Sequence, residues 1–266
     1  MLVKKRCEVQ LWRASPVDVS HAQWRALTKS LDLSERSVAF GFRFEVDRKA
    51  YVLAHGLRRL ALAELLDEQP GALVFRDDHN GQPQLIKPLH RRIYFSHSHT
   101  REGVLFAASS DAAVGVDAEI VAAGPADLTL LEPFLVLPER SSSEANGFYD
   151  YWTALEAFWK AAGTGLSAKH PRLRLSAHAL GYWEVALDTP DDSRLNPVAA
   201  HAAIFPVTSP SGCVASLAII RPPTDDSMAF VVHEKELNKD AQLKRLFFKA
   251  GPATGRLNRN PKQSFN

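Results

Sequence analysis

The chain has 266 residues, 45% hydrophobic and 23% charged, with a formal net charge of +2. That balance describes an ordinary globular protein with a sizeable core, and it excludes a chain-wide electrostatic grip on nucleic acid. Apolar runs such as Val114–Val116 and Val214–Ile220 fall far short of the roughly 20 residues that a membrane helix requires. MLVKKRCEVQLW lacks the apolar stretch of a secretory signal, so a cytoplasmic location and no membrane partner are expected. Cys7 and Cys213 form no CxxC pair, which leaves two thiols expected to be buried and structural.

In chain order, CEVQLWR (7–13) alternates as a strand, and DVSHAQWRALTKSL reads as a helix with Ser20 as its N-cap. LSERSVAFGFRF and DRKAYVLAHGLRRLALAELL read as two further helices, the second long and amphipathic through Leu53, Leu57, Leu60 and Ala61. Short strands follow in ALVFRDDHNGQPQL, which turns at Asn80-Gly81, and in RRIYFSHSHT, GVLFAASS and AAVGVDAEI. The second part repeats this order: a helix near Leu128–Leu137, a long helix from Phe148, then strands in LRLSAH, GYWEVAL, AAHAAIFPV and CVASLAII. The expected fold is α+β, two similar halves (1–112 and 113–223), each with helices packed on a small, mostly antiparallel sheet. Residues 224–266 read as an extension, a short basic helix over about 234–250 followed by the flexible tail GPATGRLNRNPKQSFN.

Three stretches carry charge in patterns that suit chemistry. In GVDAE, Asp117 and Glu119 stand two apart in a strand and share a face. Such a pair is either a solvated strand end or a site for a hard divalent cation such as Mg²⁺. In YFSHSHT, Ser96, Ser98 and Thr100 share one strand face and His97 and His99 the other; zinc lacks a third ligand at a recognisable spacing, whereas hydroxyls and imidazoles also suit a phosphate. In WTALEAFWKAAGTGL, Phe148, Trp152, Leu155, Trp159 and Ala162 form an apolar helical stripe, and Glu156 and Lys160 stand one turn apart beside it. Alone they read as a surface pair worth roughly 0.2–0.5 kcal/mol. A third carboxylate beside Asp117 and Glu119 is the other reading of Glu156.

Read in order, NGQPQL, FSHS, GVDAE, FLVLPE and WTALEAFWKAAGTGL resemble the 4'-phosphopantetheinyl transferase superfamily, in particular its large, pseudo-dimeric Sfp-type branch. The resemblance covers about residues 8–222. It implies transfer of the phosphopantetheine arm of coenzyme A to a serine of an apo acyl or peptidyl carrier protein, with release of 3',5'-ADP, by a monomer. It makes Asp117, Glu119 and Glu156 the magnesium ligands, and Ser96 and His97 contacts to coenzyme A phosphates. It also implies that Lys160 faces the pyrophosphate and that Glu139, in FLVLPE, is the base for the acceptor serine. Arg48 and Lys49 match a basic helix start that meets the 3'-phosphate.

Three positions depart from the family pattern. Leu155 stands where the helix motif has a lysine, Gln82 replaces the lysine of a GKP-like turn, and His99 replaces the glycine after SHS. One lost charge-assisted phosphate contact costs about 1.5–3 kcal/mol, roughly ten- to a hundredfold. On this reading activity is retained, and Leu155→Lys should raise it. The competing reading is a degenerate homologue that binds coenzyme A or a carrier without efficient transfer; nucleic-acid binding by the basic end rests on composition alone.

Overall fold

The structure, a computed structural model, describes residues 6–124, 126–137, 145–189, 195–209, 212–222, 229–237 and 246–249. Strand β1 (Arg6–Ala14) leads through a 3-10 turn at Pro16–Asp18 into helices α1 (His21–Ser30), α2 (Leu33–Gly41) and α3 (Glu45–Leu66). Ser20 caps α1 as expected: its Oγ accepts from the Gln23 amide, and the Gln23 side chain accepts from the Ser20 amide in return. The hairpin β2 (Val74–Asp77) and β3 (Pro83–Lys87) turns at Asn80-Gly81, where Gly81 takes a φ of 77° that a side chain would resist. Strands β4 (Tyr94–His99), β5 (Val104–Ser109) and β6 (Ala113–Ile120) cross the junction between the halves. Then come helix α4 (Ala145–Ala162), strands β7 (Leu173–Ala177) and β8 (Trp183–Leu187), helix α5 (Leu195–Ala200), and strands β9 (Ala202–Pro206) and β10 (Cys213–Ile220). Strands β11 (Ala229–Leu237) and β12 (Leu246–Lys249) follow.

Two sheets result, in the orders β12-β11-β1-β5-β4 and β6-β10-β9-β8-β7. Strand alternation divides their side chains between layers. Cys7, Val9 and Leu11 of β1 and Leu105 and Ala107 of β5 meet Val114 and Val116 of β6 and Leu217 and Ile219 of β10 in a core between the sheets. The opposite faces pack on helices. Trp12, Ala14 and Phe106 meet α1 and α3, while Ala218 and Ile220 meet α4. The chain is therefore α+β with two helix-covered, sheet-containing regions, as its pattern of elements implies.

Three expectations need correction. The basic helix expected over about 234–250 is replaced, among the described residues, by strands: β11 lies parallel to β1 and occupies residues 229–237, and 246–249 is a strand paired to it. Phe230 and Val232 alternate into the core between the sheets, while Glu236 and Glu234 meet Arg13 of β1, so the charges are spent across strands. The expected helix at 128–137 is a 3-10 turn over Leu128–Leu131, followed by a bridge from Leu135 to Leu173. Of the two thiols, Cys7 is buried and Cys213 only half so. The expected flexible tail lies outside the described residues.

A buried ionic staple holds the helices of the first half. Arg59, with no exposed surface, donates to Glu35 and Asp32 of the α2 capping box and to the carbonyls of Pro70 and Leu73. Arg58 donates to the other Glu35 oxygen at 2.8 Å. Burial pushes the Glu35 carboxyl up, but hydrogen bonds from His55 and Arg59 outweigh it and hold the group at about 2. A carboxyl lowered on folding contributes stability that is complete above its ordinary value near 4.5 and is lost as pH falls towards 2. The shift corresponds to about 3 kcal/mol. Urea midpoints should therefore fall between pH 5 and pH 2.5 in the native sequence, with that part of the acid dependence missing in Glu35→Gln.

Candidate active site at the junction of the halves

Strand β6 presents Gly115, Asp117 and Glu119 to α4, because its alternate residues Val114, Val116 and Ala118 are committed to the core between the sheets. Helix α4 crosses β6 very closely. A Cβ on Gly115 would lie 2.0 Å from the Ala157 carbonyl oxygen and 2.5 Å from the Ala161 nitrogen. This contact fixes which turn of α4 faces which carboxylate. Lys160 Nζ donates to Asp117 Oδ1 at 2.6 Å, and Trp152 Nε1 donates to Glu119 Oε1 at 3.3 Å. Thr153, fully buried, shares a hydrogen bond of 2.9 Å with Ser216 of β10 and pins the helix between those two points.

Strand β4 approaches from the first half. Its serines face β6, as the alternation in YFSHSHT implies: Ser96 Oγ accepts from the Val116 amide and Ser98 Oγ from the Ala118 amide. Ser98 Oγ also donates to Asp117 Oδ1 at 3.0 Å. Asp117 is only 3% exposed, and its Oδ2 is buried without a hydrogen-bond partner among the described residues. Such an orphaned carboxylate oxygen is costly unless something positive or protic meets it. Burial and the charge of Asp117 push the Glu119 carboxyl up. Burial also pushes Glu156 up, with Lys160 opposing and both other carboxylates adding to the rise. Glu119 and Glu156 thus each feel other acids of the site. Among the described residues no three His, Cys, Asp or Glu side chains are gathered closely enough to hold a metal ion as they stand. In donor type and charge the set still suits magnesium.

On the other face of β4, the His97 ring lies 6.0 Å from that of His55 on α3 and 6.2 Å from that of His99. Tyr51 stacks on His55, and Arg58 Nη2 stands 3.1 Å from His55 Nδ1. Burial, then the nearby Arg58, holds the His97 imidazole well below its usual range, so it is neutral at pH 7. A cleft of about 560 Å³ opens between the halves, lined by Gln82, Arg91, Arg92, Tyr94, Lys160 and Gly163.

The site residues expected from the sequence are therefore distributed as follows. Asp117, Glu119, Glu156 and Lys160 come together, with Ser96 and His97 on the adjoining strand. Arg48 and Lys49 do not join them: they line a separate groove beside α1 and α2, and Lys49 pairs with Glu45 at 2.9 Å. Glu139 lies outside the described residues. From the sequence, Ser98 reads only as sharing the Ser96 face, Trp152 as part of the apolar stripe, and His55 and Arg58 as part of a basic cluster on a mainly solvated helix face; Arg91 and Arg92 carry no assigned role. The signal for Ser98 was its shared face with Ser96, and that for His55 and Arg58 their one-turn spacing on α3.

Leu155 corrects another expectation. It has no exposed surface and packs with Leu131, Phe158 and Leu173 on the core side of α4, away from the carboxylates. A lysine there would be buried in an apolar cluster rather than brought to a phosphate. Leu155→Lys should therefore lower stability by at least the about 2–5 kcal/mol typical of a truncated core leucine, and lower activity rather than raise it. Thermal melting beside a transfer assay tests this.

A family described as 4'-phosphopantetheinyl transferase, N-terminal, matches residues 12–111. The 4'-phosphopantetheinyl transferase HetI of Nostoc is 26% identical over 221 residues, covering 80% of this chain and 87% of the relative. The chain is thus similar to 4'-phosphopantetheinyl transferases over most of its length. The superfamily member psf-1 of Bacillus pumilus, named a 4'-phosphopantetheinyl transferase, is 29% identical over 164 residues, covering 57% of this chain and 67% of the relative. A phosphopantetheinyl transferase of Thraustochytrium is 28% identical over 171 residues, 57% of this chain and 58% of the relative. The family match ends just before β6, so the superfamily's N-terminal pattern covers the helices and β4, while the carboxylates of β6 and α4 lie beyond it. No described helix is long and apolar enough to cross a membrane.

Proposed function

We propose that this chain transfers the 4'-phosphopantetheine arm of coenzyme A to a serine of an acyl or peptidyl carrier protein and releases 3',5'-ADP, acting as a cytoplasmic monomer of the Sfp-type branch. The observation that carries this reading is Asp117, gripped by Ser98 from one half and Lys160 from the other, with its second oxygen buried and unpartnered among the described residues. Asp117, Glu119 and Glu156 would hold Mg²⁺, which when bound supplies positive charge against the pyrophosphate. Lys160 places an ammonium where the leaving phosphate gains charge. His97, kept neutral, offers a hydrogen bond to a phosphate oxygen without adding a second charge. The acceptor serine oxygen attacks the phosphorus bearing the pantetheine arm, the bond to the ADP oxygen breaks, and the serine proton passes to a carboxylate. Glu139 is assigned that role by resemblance, and a positioned base contributes about 10²–10⁴-fold.

Gln82, in the wall of the cleft, favours a second reading, a homologue that binds coenzyme A or a carrier without efficient transfer. Mass spectrometry separates the two. With coenzyme A and Mg²⁺, an apo carrier should gain about 340 Da, the mass set by the chemistry of the arm, and a chelator should abolish the gain. Coenzyme A binding by calorimetry with no mass gain on any of several apo carriers would establish the second reading instead.

A further inference from the structure

Away from the cleft's lining, the Pro16–Asp18 turn, α1, α2 and the first turns of α3 line a second, open-mouthed cavity of about 780 Å³. Its walls are Val19, Leu31, Ala39 and Val52, all buried, with the half-buried Trp24 between them. The volume is that of a small-molecule site rather than a packing defect. Past Trp24 and Phe40 it continues into a shallower groove of about 520 Å³. Phe40 and Val17 stand at the mouth, 70% and 73% exposed.

The charges around this apolar hollow are one-sided. Arg36, Arg48 and Lys49 line the cavity and Arg25 and Lys29 the groove. Glu45 is the one acid among the lining residues, and Lys49 already engages it at 2.9 Å. Arg36 adds a second observation. Its Nη2 donates to the Lys29 carbonyl at 2.7 Å, but its Nε is buried with no hydrogen-bond partner among the described residues. A buried guanidinium N–H without an acceptor is an exception in folded proteins, and an anionic ligand would supply what is missing.

We propose that this cavity is a binding site for an organic anion with an apolar body, a medium-length chain or ring system ending in a carboxylate or phosphate. The apolar walls take the body; Arg36, with Arg48 and Lys49, takes the head. The site is separate from the cleft between the halves, with which it shares no lining residue. Along α3, Arg48 lies two turns, about 10 Å, from His55, the residue facing His97.

Isothermal titration with monomeric decanoate and with decyl phosphate tests the proposal, with decyltrimethylammonium as the cationic control. Both anions should bind one per chain, at least tenfold tighter than the cation. Arg36→Gln should weaken the anions at least tenfold, and Thr28→Trp, which fills the cavity, should abolish binding in protein of native circular dichroism. Saturating coenzyme A should leave the titration unchanged. Absence of heat with either anion, equal affinity for the cation, or indifference to Arg36→Gln would overturn the proposal. Displacement by coenzyme A would also overturn it, by making the cavity part of the nucleotide site. None of these outcomes depends on whether a carrier is modified.

Discussion

Asp117→Asn should lower phosphopantetheine transfer at least about a hundredfold while leaving the fold intact. The amide matches the carboxylate in shape and can still accept from Ser98, so the rung between β4 and β6 survives. What disappears is the negative charge that holds Lys160 at 2.6 Å and gives the buried Oδ2 its affinity for a cation. Electrostatic groups aimed at developing charge commonly carry about 10²–10³-fold each, and on the proposed reading one residue would order both a cation site and a lysine. Lys160 is partly exposed, so water can solvate it and the melting temperature should move little. Transfer rate followed by carrier mass, beside circular dichroism, checks both parts. An Asn variant working at half the native rate or better would remove Asp117 from the site.

Gly115→Ala should damage stability and transfer together. No rearrangement of a flexible side chain can make room for the new methyl, because the atoms it meets are the Ala157 carbonyl and the Ala161 amide. Gly115 is tied on its other side by its pairing with Ala218 of β10, so α4 has to lift away from β6. Overpacking of this kind costs about 1–3 kcal/mol, and a backbone obstacle belongs at the upper end. The lift also moves Glu156 and Lys160 relative to Asp117 and Glu119. A misplacement of about 1 Å is enough to cost on the order of 10² in rate. Urea denaturation and the mass assay on the same preparation measure the two effects. A variant with native midpoint and native rate would contradict the close crossing.

Much of the candidate site was legible because it depends on short-range periodicity. The two-residue spacing of Asp117 and Glu119 and of Ser96 and Ser98 needs only a strand to determine its geometry, and β4 and β6 are strands. The four-residue spacing of Glu156 and Lys160 needs only a helix, and the apolar stripe through Leu155 already placed that leucine inward. The resemblance led away from this by treating the position as a lost phosphate contact. What local pattern could not supply was partnership across the chain. Lys160 looks toward Glu156 in sequence but bonds to Asp117, and Trp152 looks like plain core but donates to Glu119. Arg58 reads as a solvated cation until Glu35, far back in the chain, is seen to bury it. Residues from about 234 read as a helix because their charges are dense, and the neighbouring β1 explains why 234–237 extend instead.

That last pairing sets the order in which the molecule can be completed. The register joins Arg6 to Ala229 and Ala14 to Leu237, so β1 waits for a strand that leaves the ribosome long after it. The strands of the second sheet all lie between Ala113 and Ile220, and it can close while the first sheet still has an open flank along β1. Loop closure over so long a span is slow compared with the local hairpins, although its entropic cost grows only logarithmically with length. During synthesis, then, the sheet whose first strand emerges earlier is the sheet that closes later.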